Sequence, residues 1–179
     1  MRDETDRTKI DAFMSGLAQR VRGPGRIFIT GGGTAVLYGW REVTIDLDLK
    51  ADPEPGGFFE AIAELKEAIN LNVELASPDD FLPPLPGWRE RSIFIARRAR
   101  IDFYHYDLYS QALAKIERSH TRDLEDVRAM FALKLIETDV LQVLFSAVEP
   151  QLIRYPSVDP KTLRAAVIAT LESQVKSRP

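Results

Sequence analysis

Cysteine is absent from the 179 residues, which excludes disulfides, thiolate zinc sites and cysteine nucleophiles and fits a reducing cytoplasm. Histidine is nearly absent too. His105 and His120 share no ligand spacing, and each reads as a surface or capping residue rather than a metal ligand. A basic excess is also missing: the formal net charge is -3, so nucleic acid is not held mainly by a general basic surface, although a local groove remains compatible. No apolar run approaches the ~20 residues that span a bilayer, and the opening MRDETDRTKID is too charged for a signal peptide. Together these absences predict a soluble, cytoplasmic protein with no membrane partner.

What is present is a 45% hydrophobic chain, long enough for one well-packed domain with a helical appendage. Ile10, Phe13, Met14, Leu17 and Val21 recur at helical spacing over 5–22, and GPG at 23–25 ends that helix. A short β-branched and aromatic strand at 26–30 stops at three glycines, and 34–40 reads as a helix. Residues 43–50, VTIDLDLK, alternate: Val43, Ile45, Leu47 and Leu49 make a dry face, Thr44, Asp46, Asp48 and Lys50 a wet one. A helix at 58–69, a strand at 72–76, a proline-rich loop at 81–88 and strands at 92–96 and 100–104 follow. Helices are predicted at 108–118, 122–136 and 138–148, then from Asp159 as N-cap with Pro160 opening the last. The fold class is α/β (α+β), a mixed sheet flanked by helices. Residues 1–107 are expected to form the catalytic core, and 108–179 a C-terminal helical region packed on it.

Two clusters carry chemistry. In TGGGTA at 30–35, glycines allow a ligand to approach the backbone, and the helix that follows offers amide donors and a positive dipole end suited to phosphate. A plain tight turn explains the same residues, since neither GxGxxG nor GxxxxGK[ST] is present. In IDLDL at 45–49, Asp46 and Asp48 point the same way with Cα atoms about 6.5 Å apart, so both can ligate one divalent cation or a pair. An ordinary solvated strand face is the alternative, but adjacent carboxylates repel and aspartate is a poor strand former. Asp102 in RIDFY completes a triad if its strand lies beside 43–50. Asp107 is a weaker substitute.

The segment GGGTAVLYGWREVTIDLDL resembles the signature of the polymerase β nucleotidyltransferase superfamily, where a GG or GS pair opening a helix precedes a DxD or DxE strand. More narrowly, GG-T-A followed by R-x-x-T-x-D-x-D resembles the AbiEii-like toxin group and related bacterial nucleotidyltransferase-like (DUF6036-like) proteins. The stretch LYSQALAKIERSHTRDLEDVRAMF is similar to that group's helical segment, with a lysine and then R-D-x-x-D. Position by position, the resemblance implies a nucleotidyltransferase fold with Gly31, Gly32, Gly33 and Thr34 at the nucleotide and Asp46, Asp48 and Asp102 on the metal. Lys115 would neutralise phosphate charge and Asp123 would position it, although a solvated helix face with Asp123 as a helix-start charge explains that pair as well. Gly33 stands where the commonest form has Ser.

The activity so implied is Mg2+-dependent transfer of a nucleoside monophosphate from an NTP to a hydroxyl, with a two-ion site and Mn2+ as alternative metal. The acceptor implied is RNA, for instance a tRNA 3′ end in a toxin-antitoxin setting with a cognate antitoxin; a protein hydroxyl or a small molecule is also allowed. Rival readings are a catalytically degenerate binding module of the same fold and a metal-dependent phosphohydrolase, which lacks the usual His-rich and Asp-rich ligand set. ARRAR at 96–100 is the stretch best suited to touch nucleic acid, or else a charged hairpin turn. Arg41 beside Trp40 either braces the loop before IDLDL or covers apolar surface with its stem.

Overall fold

The computed structural model describes residues 4–176, and the chain divides into two compact units. One comprises the residues up to Ser77 together with Ser92–Tyr106; the other comprises Pro78–Arg91 and the residues from Asp107 onward. Residues 78–91, read from the sequence as part of the core, thus group with the C-terminal helices. The cause is local: Arg91, at the end of a short helix, makes a two-pronged ion pair with Asp107 at 3.0 and 2.8 Å.

The first unit begins with α1 (Arg7–Arg20), capped by Asp6, whose side chain accepts from the Lys9 amide. Then come β1 (Gly25–Thr30), α2 (Gly31–Tyr38), β2 (Asp46–Ala51), α3 (Phe58–Ala68), β3 (Asn72–Glu74), β4 (Ile93–Arg98) and β5 (Ile101–His105). The five strands form a mixed sheet in the order β3-β2-β1-β5-β4. β1 runs antiparallel to β2 and parallel to β5, β2 is parallel to β3, and β4 is antiparallel to β5. One face of the sheet carries Ile27, Ile29, Leu47, Leu49, Val73, Ile101 and Phe103 into a core shared with α1 and α3. Strand alternation sends Arg26, Phe28, Thr30, Asp46, Asp48, Asn72, Glu74, Asp102 and Tyr104 to the other face. In the register, Thr30 stands opposite Asp48 at one end of β1, and Arg26 opposite Asp102 at the other.

The second unit contains α4 (Trp88–Arg91), α5 (Leu108–Arg118), α6 (Thr121–Ala132), α7 (Thr138–Val148) and α8 (Pro160–Lys176), with 3-10 turns at Pro78–Asp80 and Glu149–Arg154. Asp159 caps α8 as its sequence predicts, accepting from the Thr162 amide at 3.0 Å. Among the described residues no helix is long and apolar enough to cross a membrane.

Three elements differ from the sequence reading for physical reasons. The strand expected at 43–50 begins at Asp46, because Thr44 forms a separate bridge with Thr5. The helix expected at 122–136 stops at Ala132, where Lys134 takes a left-handed φ of 56°. The helix expected to follow the glycines instead includes them: α2 starts at Gly31. A β-carbon on Gly33 would lie 2.6 Å from Leu47 Cδ1 and 2.8 Å from Ile29 Cγ2, so this glycine lets the helix rest on the strands. Gly33→Ala should therefore destabilise the protein by about 1–3 kcal/mol through overpacking. Urea unfolding of the two proteins checks it, and equal midpoints would show that the contact yields freely.

Candidate functional site

The site is built where β1 passes directly into α2. Thr30 is the N-cap of α2 in extended conformation, with no side-chain capping bond, so the first-turn amides of Gly31, Gly32 and Gly33 stand at the positive end of the helix outside its ladder. Gly31 has φ 59°, and a β-carbon there would come within 2.6 Å of Asp48 Oδ2. Glycine is needed at this position both for its left-handed backbone and for the room the carboxylate occupies. The structure thus brings Asp48 against the head of α2, with Asp46 two residues back on the same face of β2. Both aspartates are partly exposed.

Two polar residues on β3 join them that the sequence reading passed over. Asn72 stands opposite Asp46 and Glu74 opposite Asp48, and the Asn72 side-chain amide donates to Asp46 Oδ1 and, at 3.4 Å, to Glu74 Oε1. The available signal was the alternation of Asn72 and Glu74 within a segment already read as a strand. Among the described residues, no three or more His, Asp or Glu side chains are gathered as a metal-holding group. The two aspartates nonetheless suit Mg2+, which binds one or two carboxylates plus substrate phosphates more often than a cage made wholly of protein.

The expected triad is corrected at its third member. Asp102 shares the face of Asp48 but lies near the opposite end of the sheet. Four residues along β1 at about 3.3 Å and two strand spacings at about 4.8 Å separate them by roughly 16 Å. Its carboxylate is engaged by Arg97, whose Nε and Nη2 donate at 2.5 and 2.8 Å. That hydrogen bond first, and the charges of Arg97 and Arg26 with it, hold the Asp102 carboxyl below its ordinary value despite some desolvation. Asp107, the weaker substitute, is the N-cap of α5 and is buried against Arg91 and Ser110.

The helical block has its own arrangement within the second unit. Lys115 Nζ lies 2.5 Å from Asp126 Oδ2 and 3.4 Å from Asp123 Oδ1, and Arg118 Nη2 lies 2.7 Å from the same Asp123 oxygen. The Lys115 side chain is only 4% exposed. Asp123 does contact Lys115, as the resemblance implies, but the ammonium is spent on two buried carboxylates that tie α5 to α6. A role in neutralising phosphate charge is not what this geometry gives it.

His105 is likewise not a surface residue. It is buried, packs against Tyr38 with the rings tilted by 31° and centroids 4.5 Å apart, and places Nδ1 3.2 Å from Thr34 Oγ1. Because Thr34 donates its hydroxyl proton to the Ile29 carbonyl at 3.1 Å, its oxygen accepts from Nδ1–H, which assigns the tautomer. Burial first, and the Arg7 charge second, push the His105 pKa down to about 4. Thr34, expected at the nucleotide, is buried in this core contact. Tyr38 in turn stacks on Trp40 at 5.4 Å, and the Arg41 amide reaches the Ala35 carbonyl at 3.4 Å. His120 is exposed and precedes α6 without a side-chain cap bond.

A family model described as a nucleotidyltransferase of unknown function (DUF6036) matches residues 8–176. No curated protein sequence and no solved structure shows a significant match.

Two outcomes follow from the buried groups. Lys115→Met leaves Asp123 and Asp126 facing each other and should cost about 3–5 kcal/mol in urea unfolding; an unchanged midpoint would mean the cluster opens to solvent. The folded state keeps His105 neutral down to about pH 4, whereas the unfolded chain protonates near 6.5. Stability is therefore complete above pH 6.5 and falls as the pH drops toward 4, by about 2 kcal/mol between pH 7 and 5. His105→Gln should remove that part of the slope in unfolding measured at both pH values.

Proposed function

The chain belongs to the DUF6036 nucleotidyltransferase family, and from that membership and the seating of Asp48 against Gly31 we propose that it transfers a nucleoside monophosphate from an NTP to a hydroxyl. Asp46 and Asp48 would hold Mg2+, which supplies neutralisation of triphosphate charge when bound. The α2 head, with the amides of Gly31, Gly32 and Gly33, receives the phosphates. Asn72 holds the Asp46 carboxylate in place. In the transfer, the acceptor oxygen bonds to the α-phosphorus, the bond from that phosphorus to the oxygen bridging to the β-phosphate breaks, and pyrophosphate leaves. The hydroxyl proton passes to solvent, and Asp102, which the resemblance places on the metal, lies at the far end of the sheet. The single observation that carries this reading is the Asp48 carboxylate packed directly against a glycine helix start, with Asp46 two residues back on the same strand face.

RNA as acceptor and a toxin-antitoxin setting belong to the same proposal, supported by the likeness of the α5–α6 block to the AbiEii-like segment. A second reading, a module of this fold that binds nucleotide without turnover, is favoured by two observations: Asp102 is paired to Arg97, and Lys115 is buried between aspartates.

Pyrophosphate release from each NTP with Mg2+ or Mn2+ and total RNA separates the two. Asp46→Asn and Asp48→Asn should each lose release by on the order of 100-fold or more, since even outer partners of a bound metal are worth about 10- to 100-fold. Asp102→Asn should stay near wild type. Nucleotide binding by the wild-type protein with no release establishes the second reading instead.

A further inference from the structure

The face of the sheet opposite the core carries a second feature, distinct from the carboxylate end. Phe28, Tyr104 and Phe94 form a continuous aromatic strip across β1, β5 and β4. Phe28 stacks on Tyr104 with centroids 5.4 Å apart, and Tyr104 meets Phe94 edge-on at 5.6 Å. Exposure rises outward along the strip: Phe28 is 2% exposed, Tyr104 is intermediate, and Phe94 is 54% exposed.

Arginines border this strip at the end away from Asp48. Arg26, Asp102 and Arg97 stand in one row across β1, β5 and β4. Arg98 and Arg100 flank the left-handed Ala99 at the hairpin turn; Arg98, paired with Ile101, takes the other face, and Arg26, Arg97 and Arg100 are exposed. Asp102 is the acid in that row, and it orients the Arg97 guanidinium through two hydrogen bonds. Arg26, Arg97 and Arg100 outnumber Asp102 and Asp52, the latter across from Arg26 with its amide donating to the Arg26 carbonyl, and leave a local positive excess in a chain whose formal net charge is -3.

We propose that this patch, Phe94 and Tyr104 bordered by Arg26, Arg97 and Arg100, binds single-stranded RNA and holds the body of the acceptor strand. The inference rests on the transferase reading only for the word acceptor. Exposed rings offer stacking to unpaired bases, which a duplex hides, while guanidinium groups pair with backbone phosphates. The Tyr104 phenol can both donate to and accept from a ribose 2′-hydroxyl, which favours RNA over DNA. Roughly 16 Å from Asp102 to Asp48 is about five stacked nucleotides at 3.4 Å each, so a strand lying on the patch can extend its end toward the carboxylates.

Fluorescence anisotropy of a labelled single-stranded RNA of about 16 nucleotides, read in EDTA without nucleotide from about 50 to 200 mM salt, tests this directly. Arg97→Gln/Arg100→Gln should weaken binding on the order of tenfold and reduce the salt slope by about 1.4, two phosphates at about 0.7 each. Phe94→Ala should weaken binding roughly tenfold with the salt slope unchanged. Both variants change exposed side chains, and unaltered thermal midpoints confirm that the fold is kept. Single-stranded DNA of the same sequence and the RNA duplex should bind at least several-fold more weakly. The proposal is overturned by absent saturable RNA binding, by variants that bind as wild type does, or by DNA or duplex binding equally well. Asp46→Asn should lose pyrophosphate release and keep RNA binding; a wild-type protein that binds RNA at the patch but releases no pyrophosphate counts against the transferase reading alone, and release without binding at the patch counts against this inference alone.

Discussion

The first turn of α2 lies so close to β2 that three successive positions have no room for a β-carbon. Such an atom would meet the Asp48 carboxylate from Gly31, the Thr44 hydroxyl from Gly32, and Leu47 with Ile29 from Gly33. The same closeness does two things at once. It buries the helix on the core face through Gly33, and through Gly31 it sets a positive helix end beside a carboxylate on the opposite face. Thr44 is itself fixed by paired backbone hydrogen bonds with Thr5, at 2.7 and 2.9 Å. The segment ahead of α1 therefore contributes to the position of the site although it carries none of its chemistry.

Register then decides which charges meet. β1 pairs with both β2 and β5, but Thr30 stands beside Asp48 while Arg26 stands beside Asp102. Acidic groups collect at the end where β1 enters α2, and basic groups where the β4–β5 hairpin turns. Asp102 belongs to the basic end, and its pairing with Arg97 makes it an organiser of guanidinium groups rather than a ligand. Opposite charges at opposite ends of one sheet face give a bound polyanion a direction, from arginines toward the carboxylates.

Much of this was legible in the chain. The faultless alternation of Leu47 and Leu49 with Asp46 and Asp48 is a local property, and it survives in β2 because side-chain period does not depend on partners. The glycine run before a helix was equally visible, although its members proved to be the helix's own first turn. Asp102 was misplaced because alternation tells which face a residue takes and says nothing of which strand lies beside it or in which register. His105 was misread for a related reason: its burial comes from Thr34 and Tyr38, each far away in sequence. Lys115 sat beside its own answer, since Asp123 and Asp126 fall in the first and second turns of α6 in the R-D-x-x-D stretch, but a helix break at Ser119 was needed to fold them back on it.

With Asp102 engaged elsewhere, the proposed ion site has two aspartates from β2, and two carboxylates fall short of the coordination that Mg2+ requires. The missing oxygens would come from water or from the phosphates proposed to sit at the head of α2. Phosphate beside Asp48 is repelled unless a cation lies between them, and a cation on two carboxylates is held poorly unless phosphate completes its shell. Each ligand therefore supplies what the other lacks, and by linkage the coupling is reciprocal: nucleotide raises metal affinity by the factor that metal raises nucleotide affinity. A site arranged in this way would be assembled by its substrate, and this is the physical sense in which the proposal joins a glycine helix start and an aspartate pair in one piece of chemistry.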